Sequence, residues 1–449
     1  MPTILSASAI QTATAPLRQA ELAFAQRHPG ASGGRQPVHS VYGGAHLFRA
    51  EAASKLGAVA LRALDEHAPD SSRLAEIFGI SQEHAATVRE RVADKLRREP
   101  IEDYRIDFED GYGNRSDEEE DGHAASAAGE VALALERDTL PPFFGLRIKA
   151  LTEETRDRAI RTLDLFLTTL AGRAGGRFPS RFLITLPKVV IPEQVKALAD
   201  LCAELERGLS LPAGTLRLEI MVETPQAVLD QDGRIPLPRL VAAGEGRCVA
   251  AHLGAYDYTA ACDITAGHQS LVHPACDFAR DVMQVSLAGT GIWLADGATT
   301  TLPIAPHRSA PGGPPLTPGQ ESENREVVRR AWKLHYDHIR RALARGFYQS
   351  WDLHPGQLVS RYAAVYSFFL EEVEMATGRL RNFLEKAAQA TRVGEVFDDA
   401  ATGQGLLNSF RRAVNCGALP EAEALERTGL TLEELRGRSF LQILKNRRA

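Results

Sequence analysis

The sequence predicts an α/β fold, a (β/α)8 TIM barrel with a helical insertion after the first strand and a C-terminal helical extension. Two observations favour this fold. Short apolar runs recur along the 449 residues, and an amphipathic helical stretch follows each of them, as in the βα units of a parallel sheet. The runs number eight, which a closed barrel requires and the other arrangement considered, an open doubly wound sheet, does not.

The predicted strands follow one another from residue 38 to residue 355. They cover residues 38–44, 103–110, 143–148, 181–188, 216–223, 247–257, 291–296 and 350–355. Residues 63–101 predict extra helices before the second strand. The predicted domains are an N-terminal helical segment (1–37), the barrel (38–358) and a C-terminal helical extension (359–449).

A Pro/Gly-rich stretch, "PHRSAPGGPPLTPGQES" at 306–322, follows the seventh predicted strand and shows neither helical nor strand periodicity. Loops that follow the strands of a barrel lie on its catalytic side. The stretch is therefore predicted to be a loop there, either a lid over the site or a solvated flexible segment.

Composition excludes several classes of protein. The formal net charge of -6 and the pI of about 6.1 argue against a nucleic-acid partner. No apolar run approaches 18 residues and the N-terminus lacks the pattern of a signal peptide, so a cytoplasmic protein without membrane association is predicted. The five cysteines are Cys202, Cys248, Cys262, Cys276 and Cys416. Their odd number and wide spacing predict free thiols rather than disulfides or a zinc site.

Two carboxylates follow neighbouring predicted strands. Glu223 ends the fifth strand in "LEIMVETP", and Asp257 ends the sixth in "HLGAYDYT". Neighbouring strands lie about 4.8 Å apart, so the two side chains can share one small cation. With only two carboxylates, Mg²⁺ or Mn²⁺ is expected, completed by water and an anionic substrate. The alternative is structural, with Glu223 paired to an arginine and Asp257 at a helix start.

Other charged residues are predicted at the same end of the barrel. Arg147 ends the third strand in "FFGLRI", where it could stabilise an enolate or grip a carboxylate, or instead pair with a barrel carboxylate. The second strand runs into "DFEDG", which places Asp107, Glu109 and Asp110 at the rim. Asp107 and Glu109 are expected to face one way and Asp110 the other, and one of them could orient Arg147.

Six sequence blocks together resemble the HpcH/HpaI aldolase and citrate lyase β-subunit-like superfamily. They are "DFEDGYG", "LRI", "LPKVVIPEQVKAL", "IMVETPQAVL", "HLGAYDYT" and "WDLHPGQLV", in the order of that superfamily and over about residues 38–358. The resemblance implies a metal-dependent barrel of the phosphoenolpyruvate mutase type. It also implies that Glu223 and Asp257 bind Mg²⁺ and that Arg147 binds the substrate and its enolate. His354, in the last block, is expected to position the substrate or to be structural.

A second resemblance lies near the C-terminus, where "VFDDAATGQGLLNSFRRAV" at 396–414 is similar to the catalytic-aspartate block of malate synthase. The aspartate falls on Asp399, with Asp398 as the neighbouring possibility. The resemblance implies that Asp399 removes a proton from the methyl group of acetyl-CoA. A base opposite a stabilised enolate suits such chemistry. A helix N-cap in a structural appendage is the alternative.

Together these features predict a Mg²⁺-dependent carbon–carbon lyase or synthase that acts on β-hydroxy acids or their CoA thioesters. Its catalytic residues would be Arg147 and Asp399. Arg147, Glu109, Asp110 and His354 would contact a 2-oxo acid or acyl-CoA. The alternatives are a class II-type aldolase that uses free 2-keto acids, with pyruvate as donor and no CoA, and a non-catalytic barrel protein. The resemblance also implies a homo-oligomer, in which Asp399 acts within one chain or across to its neighbour.

Overall fold

The predicted fold class is confirmed by a computed structural model, in which eight parallel strands pair in sequence order and the eighth closes onto the first. The structure describes residues 4–30, 34–310, 312–385, 391–393, 396–398, 400–437 and 439–448. The strands are β1 (His39–Gly44), β2 (Asp103–Asp107), β3 (Phe143–Arg147), β4 (Phe182–Leu186), β5 (Arg217–Val222), β6 (Cys248–Leu253), β7 (Trp293–Ala298) and β8 (Gln349–Asp352). Each predicted strand overlaps one of these.

Helices surround the barrel and extend beyond it. They are α1 (Ala7–Arg27), α2 (Ala52–His67), α3 (Ser71–Phe78), α4 (Gln82–Arg98), α5 (Asp117–Arg137), α6 (Arg156–Arg173), α7 (Pro192–Gly208), α8 (Pro225–Val228), α9 (Leu237–Ala243), α10 (Ala255–Ala261), α11 (Pro274–Leu287), α12 (Pro318–Ala344), α13 (Gln357–Glu385), α14 (Ala400–Asn415), α15 (Glu421–Thr428), α16 (Leu432–Arg436) and α17 (Phe440–Arg448). Two short strands, β9 (Thr391–Val393) and β10 (Val396–Asp398), form a separate antiparallel pair.

Both predicted additions to the barrel are present. Helices α3 and α4 occupy the predicted insertion at 63–101, and α13 to α17 follow β8 as the C-terminal helical extension. Helix α13 follows β8 and packs against α2, α4 and α12, while α14 packs against α13. The predicted boundary at residue 358 lies at the start of α13, and the division into domains stays a prediction.

The predicted loop at 306–322 is too long. Helix α12 begins at Pro318, so the last five residues of that stretch are helical. The oxygen of Thr317 accepts a hydrogen bond from the backbone N–H of Gln320, whose side chain in turn accepts the N–H of Thr317. Proline at the first helical position and this reciprocal cap are both typical of a helix start, and they outweigh the loop-like composition.

Strand β2 alternates between an apolar outer face and a charged inner face. On β2, Tyr104 and Ile106 lie in the hydrophobic core that fills the space between strands and helices. Asp103 and Arg105 point the other way, where Arg105 donates to both oxygens of Asp103 at 2.8 Å. Period-two alternation of this kind is expected of a strand that separates two environments. The barrel interior therefore contains an ionic layer, and the main apolar core lies outside the sheet.

The remaining N-terminal helix, α1, buries none of its side chains. Its N-cap is Ser6, whose oxygen accepts the backbone N–H of Ala9. Within the described ranges, every helix is too short or too polar to cross a membrane.

Candidate active site

Glu223 lies at the carboxyl end of β5 and is 1% exposed. Its Oε1 accepts a hydrogen bond of 2.6 Å from the backbone N–H of Lys188, whereas no hydrogen-bond partner for its Oε2 is found among the described residues. Burial, together with the nearby charge of Asp257, raises the pKa of Glu223 from 4.5 to about 8. An ionised, half-satisfied carboxylate in this position needs a cation to offset the lost hydration.

Asp257 lies in the first turn of α10, directly after β6, and its side chain is 42% exposed. Its Oδ1 is 3.7 Å from Nζ of Lys188, so Lys188 contacts Asp257 through its ammonium and Glu223 through its backbone. Glu223 has no arginine partner within 4 Å in the described ranges, unlike in the structural alternative. The two predicted carboxylates are thus on the same side of the barrel mouth.

A glycine makes room for the buried carboxylate. Gly254 links β6 to α10 and donates its N–H to the carbonyl of Val222. A Cβ added at Gly254 would lie 2.5 Å from the Cβ of Glu223 and would also strike Oε2, which is the unpaired atom. Atoms cannot approach so closely, so any side chain at position 254 must displace Glu223.

Arg147 ends β3 and is almost completely buried. Its Nε and Nη2 donate to the two oxygens of Asp107 at 2.8 and 2.6 Å, and its Nη1 lies 3.0 Å from Oε2 of Glu109. Burial opposes the charge, but Asp107 and Glu109 raise the pKa of Arg147 above its ordinary value. The arginine is therefore permanently charged and held in one orientation by a two-point contact.

Aromatic rings and backbone groups complete the surroundings of this arginine. The guanidinium carbon lies 5.2 Å from the ring centre of Tyr42 and 5.4 Å from that of Trp351, within the range of cation–π attraction. Asp107 also accepts the backbone N–H groups of Glu109 and Gly111 at 3.0 and 2.8 Å. Asp107 is thus the residue that orients Arg147, a role that the sequence left open among three acids.

Lys188 is the site residue that sequence reasoning missed. It follows β4 in "LPKVV" with a backbone φ of 51°, in the left-handed region that non-glycine residues seldom adopt. Its Nζ contacts Glu109 and lies 3.2 Å from Asp110 Oδ1. Although burial opposes its charge, these carboxylates raise the pKa of Lys188 above the ordinary 10.5. The sequence signal that could have identified Lys188 is its position at the end of a predicted strand.

Glu109 and Asp110 differ in exposure as well as in partners. Glu109 is 9% exposed and bridges Arg147 and Lys188, while Asp110 is 54% exposed and lies 3.7 Å from Arg147 Nη1. Burial raises the pKa of Glu109, whereas the pKa of Asp110 is lowered because hydrogen bonding and the nearby cations outweigh burial. Five of the predicted residues therefore gather around Lys188: Glu223, Asp257, Arg147, Glu109 and Asp110.

His354 is engaged elsewhere. Its Nδ1 accepts the backbone N–H of Gly356 at 3.0 Å, and the backbone N–H of His354 donates to Oε1 of Gln357. His354 therefore shapes the turn between β8 and α13. Burial and the charge of Arg308 lower its pKa. None of its described contacts reaches the cluster around Lys188.

Asp399 lies outside the described residues. The helix that begins directly after it, α14, packs on α13, and its residues Asn408 and Arg412 line a cavity at the amino end of the barrel. That is the end opposite to Glu223. The roles predicted for Asp399 and for the mouth residues stay predictions.

Below the mouth, a second polar layer crosses the barrel interior. Glu219 Oε2 accepts hydrogen bonds from Thr185 at 2.7 Å and Tyr42 at 3.3 Å, and it lies 3.5 Å from Arg105. The Tyr42 hydroxyl is also 3.3 Å from Nδ1 of His252. Sequence analysis missed this layer, although polar residues at alternate positions of predicted strands could have indicated it.

Comparisons with known proteins bear on the fold and on the family. A citrate lyase from Burkholderia xenovorans LB400 matches with a TM-score of 0.56 and 18% identity, over 88% of this chain and 97% of that one. A Haloferax volcanii malate synthase in a magnesium/glyoxylate complex matches with a TM-score of 0.46 and 14% identity, over 91% of this chain and 98% of that one. RipC from Yersinia pestis matches with a TM-score of 0.37 and 17% identity, over 60% of this chain and 90% of that one. The likeness to the citrate lyase agrees with the TIM-barrel fold.

The sequence comparisons identify one family. No curated protein sequence matches this chain. Membership of the HpcH/HpaI superfamily stays a prediction. One family model, described as "Domain of unknown function (DUF6986)", matches residues 17–443, and the chain belongs to that family.

Proposed function

We propose that this protein is a divalent-cation-dependent enzyme that forms or cleaves a carbon–carbon bond in a β-hydroxy acid or its CoA thioester. The observation that carries the proposal is the buried carboxylate of Glu223, with an unpaired Oε2, beside Asp257 and a rigidly held Arg147. Catalytic groups of TIM barrels lie at this carboxyl end of the strands. Two carboxylates that can hold a cation and a fixed cationic fork in one mouth suit reactions that pass through an enolate.

The residues present fit Mg²⁺ or Mn²⁺. In the described ranges no group of three or more His, Cys, Asp or Glu side chains is arranged around one metal position, so Glu223 and Asp257 would be its only two protein ligands. Mg²⁺ characteristically uses one or two carboxylates and takes its other oxygens from water and substrate. When bound, such a cation supplies positive charge to the oxygens of a 2-oxo acid and so favours the enolate.

Arg147 would bind the substrate through the one nitrogen that Asp107 leaves available. Nε and Nη2 are committed to Asp107, while Nη1 is engaged by Glu109. A substrate carboxylate or enolate oxygen can replace Glu109 at Nη1 without changing the charge around the arginine. Asp107 meanwhile keeps the guanidinium in place, so no reorganisation is needed as charge develops.

Lys188 would stabilise the carboxylates of the mouth in two ways. Its backbone N–H fixes Glu223, and its ammonium offsets Glu109, Asp110 and Asp257, which would otherwise repel one another. Glu109 and Asp110 would then release Lys188 and Arg147 as an anionic substrate enters. His354 would act indirectly, by shaping the loop after β8.

The proton at carbon would be handled by Asp399 of a neighbouring copy. Helix α14 packs at the amino end of its own barrel, and the mouth is at the other end. A homo-oligomer in which the C-terminal segment of one chain reaches the mouth of the next would bring the two together. This arrangement makes an assembled oligomer a requirement for turnover.

The test is exchange of methyl protons for deuterium in acetyl-CoA and in pyruvate, followed by NMR in D₂O with Mg²⁺. We expect exchange of acetyl-CoA, or its condensation with added glyoxylate, that is lost with chelator, in Glu223→Ala and in Asp399→Asn. The surface variant Glu193→Ala should keep it. Exchange of pyruvate alone would instead indicate an aldolase for free 2-keto acids. Absence of any exchange with these donors, together with no Mn²⁺ binding, would support a non-catalytic barrel.

A further inference from the structure

A cavity of about 330 Å³ lies at the amino end of the barrel, opposite to the mouth. Its walls include the residues that precede β1 and β8, the start of β7, the end of α11 and the last turns of α14. The volume is at the small end of the range for ligand pockets, roughly 300–1,000 Å³. It can hold a small organic molecule but not a whole CoA thioester.

The cavity is lined by both charged and apolar side chains. Two arginines, Arg411 and Arg412, line the cavity, and no carboxylate is found among the described residues around it. Amide side chains lie beside the arginines. Other lining residues are apolar or aromatic, among them Leu287, Trp293 and Tyr348. Such a lining suits a ligand that has an anionic group and an apolar body.

Arg412 is the residue on which the inference rests. Its guanidinium carbon lies 3.4 Å from the ring centre of Tyr348, and its Nη1 is 3.5 Å from Oε1 of Gln36. No carboxylate lies within 4 Å of it in the described part of the chain. Burial, with the charge of Arg411 adding to it, lowers the pKa of Arg412. A half-buried cation left with a ring and one long amide contact is under-compensated, and an anion would relieve that cost.

We propose that this cavity binds a small organic anion, whose carboxylate or phosphate group is held by Arg412 while its apolar or aromatic part packs against Leu287, Trp293 and Tyr348. The guanidinium can offer two parallel N–H donors to such a group. The site is separate from the mouth because the length of the barrel lies between them. It would therefore take a ligand that is not consumed by the reaction proposed above.

The experiment is isothermal titration calorimetry of the full-length protein with benzoate, phenyl phosphate, inorganic phosphate and the neutral benzyl alcohol. We expect one site for benzoate or phenyl phosphate and much weaker binding of inorganic phosphate and of benzyl alcohol. Arg412→Gln should raise Kd at least about tenfold, as for loss of a charge-assisted contact. Asn408→Trp, which narrows the cavity and leaves Arg412 in place, should weaken binding as well.

Two controls separate this site from others. Arg207→Gln removes an exposed arginine elsewhere, and Arg147→Gln removes the arginine of the mouth, and both should keep the wild-type Kd. Loss of binding in Arg147→Gln but not in Arg412→Gln would overturn the proposal, because the anion would then bind at the mouth. Equal affinity for benzyl alcohol and benzoate, or no binding of any probe at millimolar concentration, would overturn it too.

Discussion

Replacing Glu223 by glutamine should change how the stability of the protein depends on pH. The pKa of Glu223 is about 8 in the folded protein, against 4.5 for an ordinary glutamate. Because the folded state holds this proton more tightly than the unfolded state, the free energy of unfolding falls as pH rises between those two values. With about 1.4 kcal/mol for each pH unit, the wild type should lose about 3 kcal/mol between pH 5.5 and pH 8.

Urea denaturation followed by circular dichroism at these two pH values measures the effect. Glu223→Gln carries no titrating group at this position, so its loss of stability over the same interval should be smaller by about 3 kcal/mol. A saturating divalent cation should restore much of the wild-type stability at pH 8 and leave the variant unchanged. Chelator should reverse that restoration.

The buried pair of Glu206 and Arg247 provides the matched control. Glu206 is 3% exposed, but hydrogen bonds from Arg247 and from two backbone N–H groups outweigh burial and lower its pKa. Its contribution to pH dependence therefore lies below pH 4.5, and Glu206→Gln should keep the wild-type slope between pH 5.5 and pH 8. Parallel profiles for wild type and Glu223→Gln would refute the reasoning, since Glu223 would then titrate like an exposed carboxylate.

Three further changes test the site. Gly254→Ala should displace Glu223 and weaken Mn²⁺ binding at least about tenfold. Gly267→Ala, where an added Cβ meets open space, should keep the wild-type Mn²⁺ affinity. Equal Mn²⁺ affinities of the two variants would contradict the packing argument. Arg147→Lys should slow methyl-proton exchange about a hundredfold, because lysine cannot keep the two-point contact, and an unchanged rate would exclude the arginine from the reaction. Mixing Glu223→Ala with Asp399→Asn chains during refolding should restore about a quarter of wild-type activity if Asp399 acts between copies, and none if it acts within one chain.

The barrel could be predicted because each strand left a local pattern in the sequence. Apolar runs such as 181–188 and 216–223 are short, β-prone and followed by helical periodicity, so their number and order were readable without tertiary contacts. The start of α12 was misplaced because Pro and Gly also occur in loops, and only the reciprocal cap between Thr317 and Gln320 distinguishes a helix start there. Boundaries depend on such single contacts, whereas the existence of an element depends on many residues.

The location of a site residue could be predicted where its position along a strand determines that location. Glu223, Asp257 and Arg147 each follow an apolar run, so the parallel topology alone brings them to one end. Lys188 has the same kind of position, but its contribution depends on an unusual backbone conformation that no residue pattern records. The choice of Asp107 over Glu109 or Asp110 as the two-point partner of Arg147 likewise depends on side-chain geometry across two strands.

The ionic layer inside the barrel has a thermodynamic consequence. Exposure of apolar surface raises the heat capacity on unfolding, whereas exposure of polar surface lowers it. Opening this barrel would hydrate Asp103, Arg105, Glu219 and His252, where barrels with aliphatic interiors would hydrate branched apolar side chains. The unfolding heat capacity should therefore be smaller than the chain length alone implies. A smaller heat capacity gives a flatter stability curve, so this protein should lose little stability on cooling.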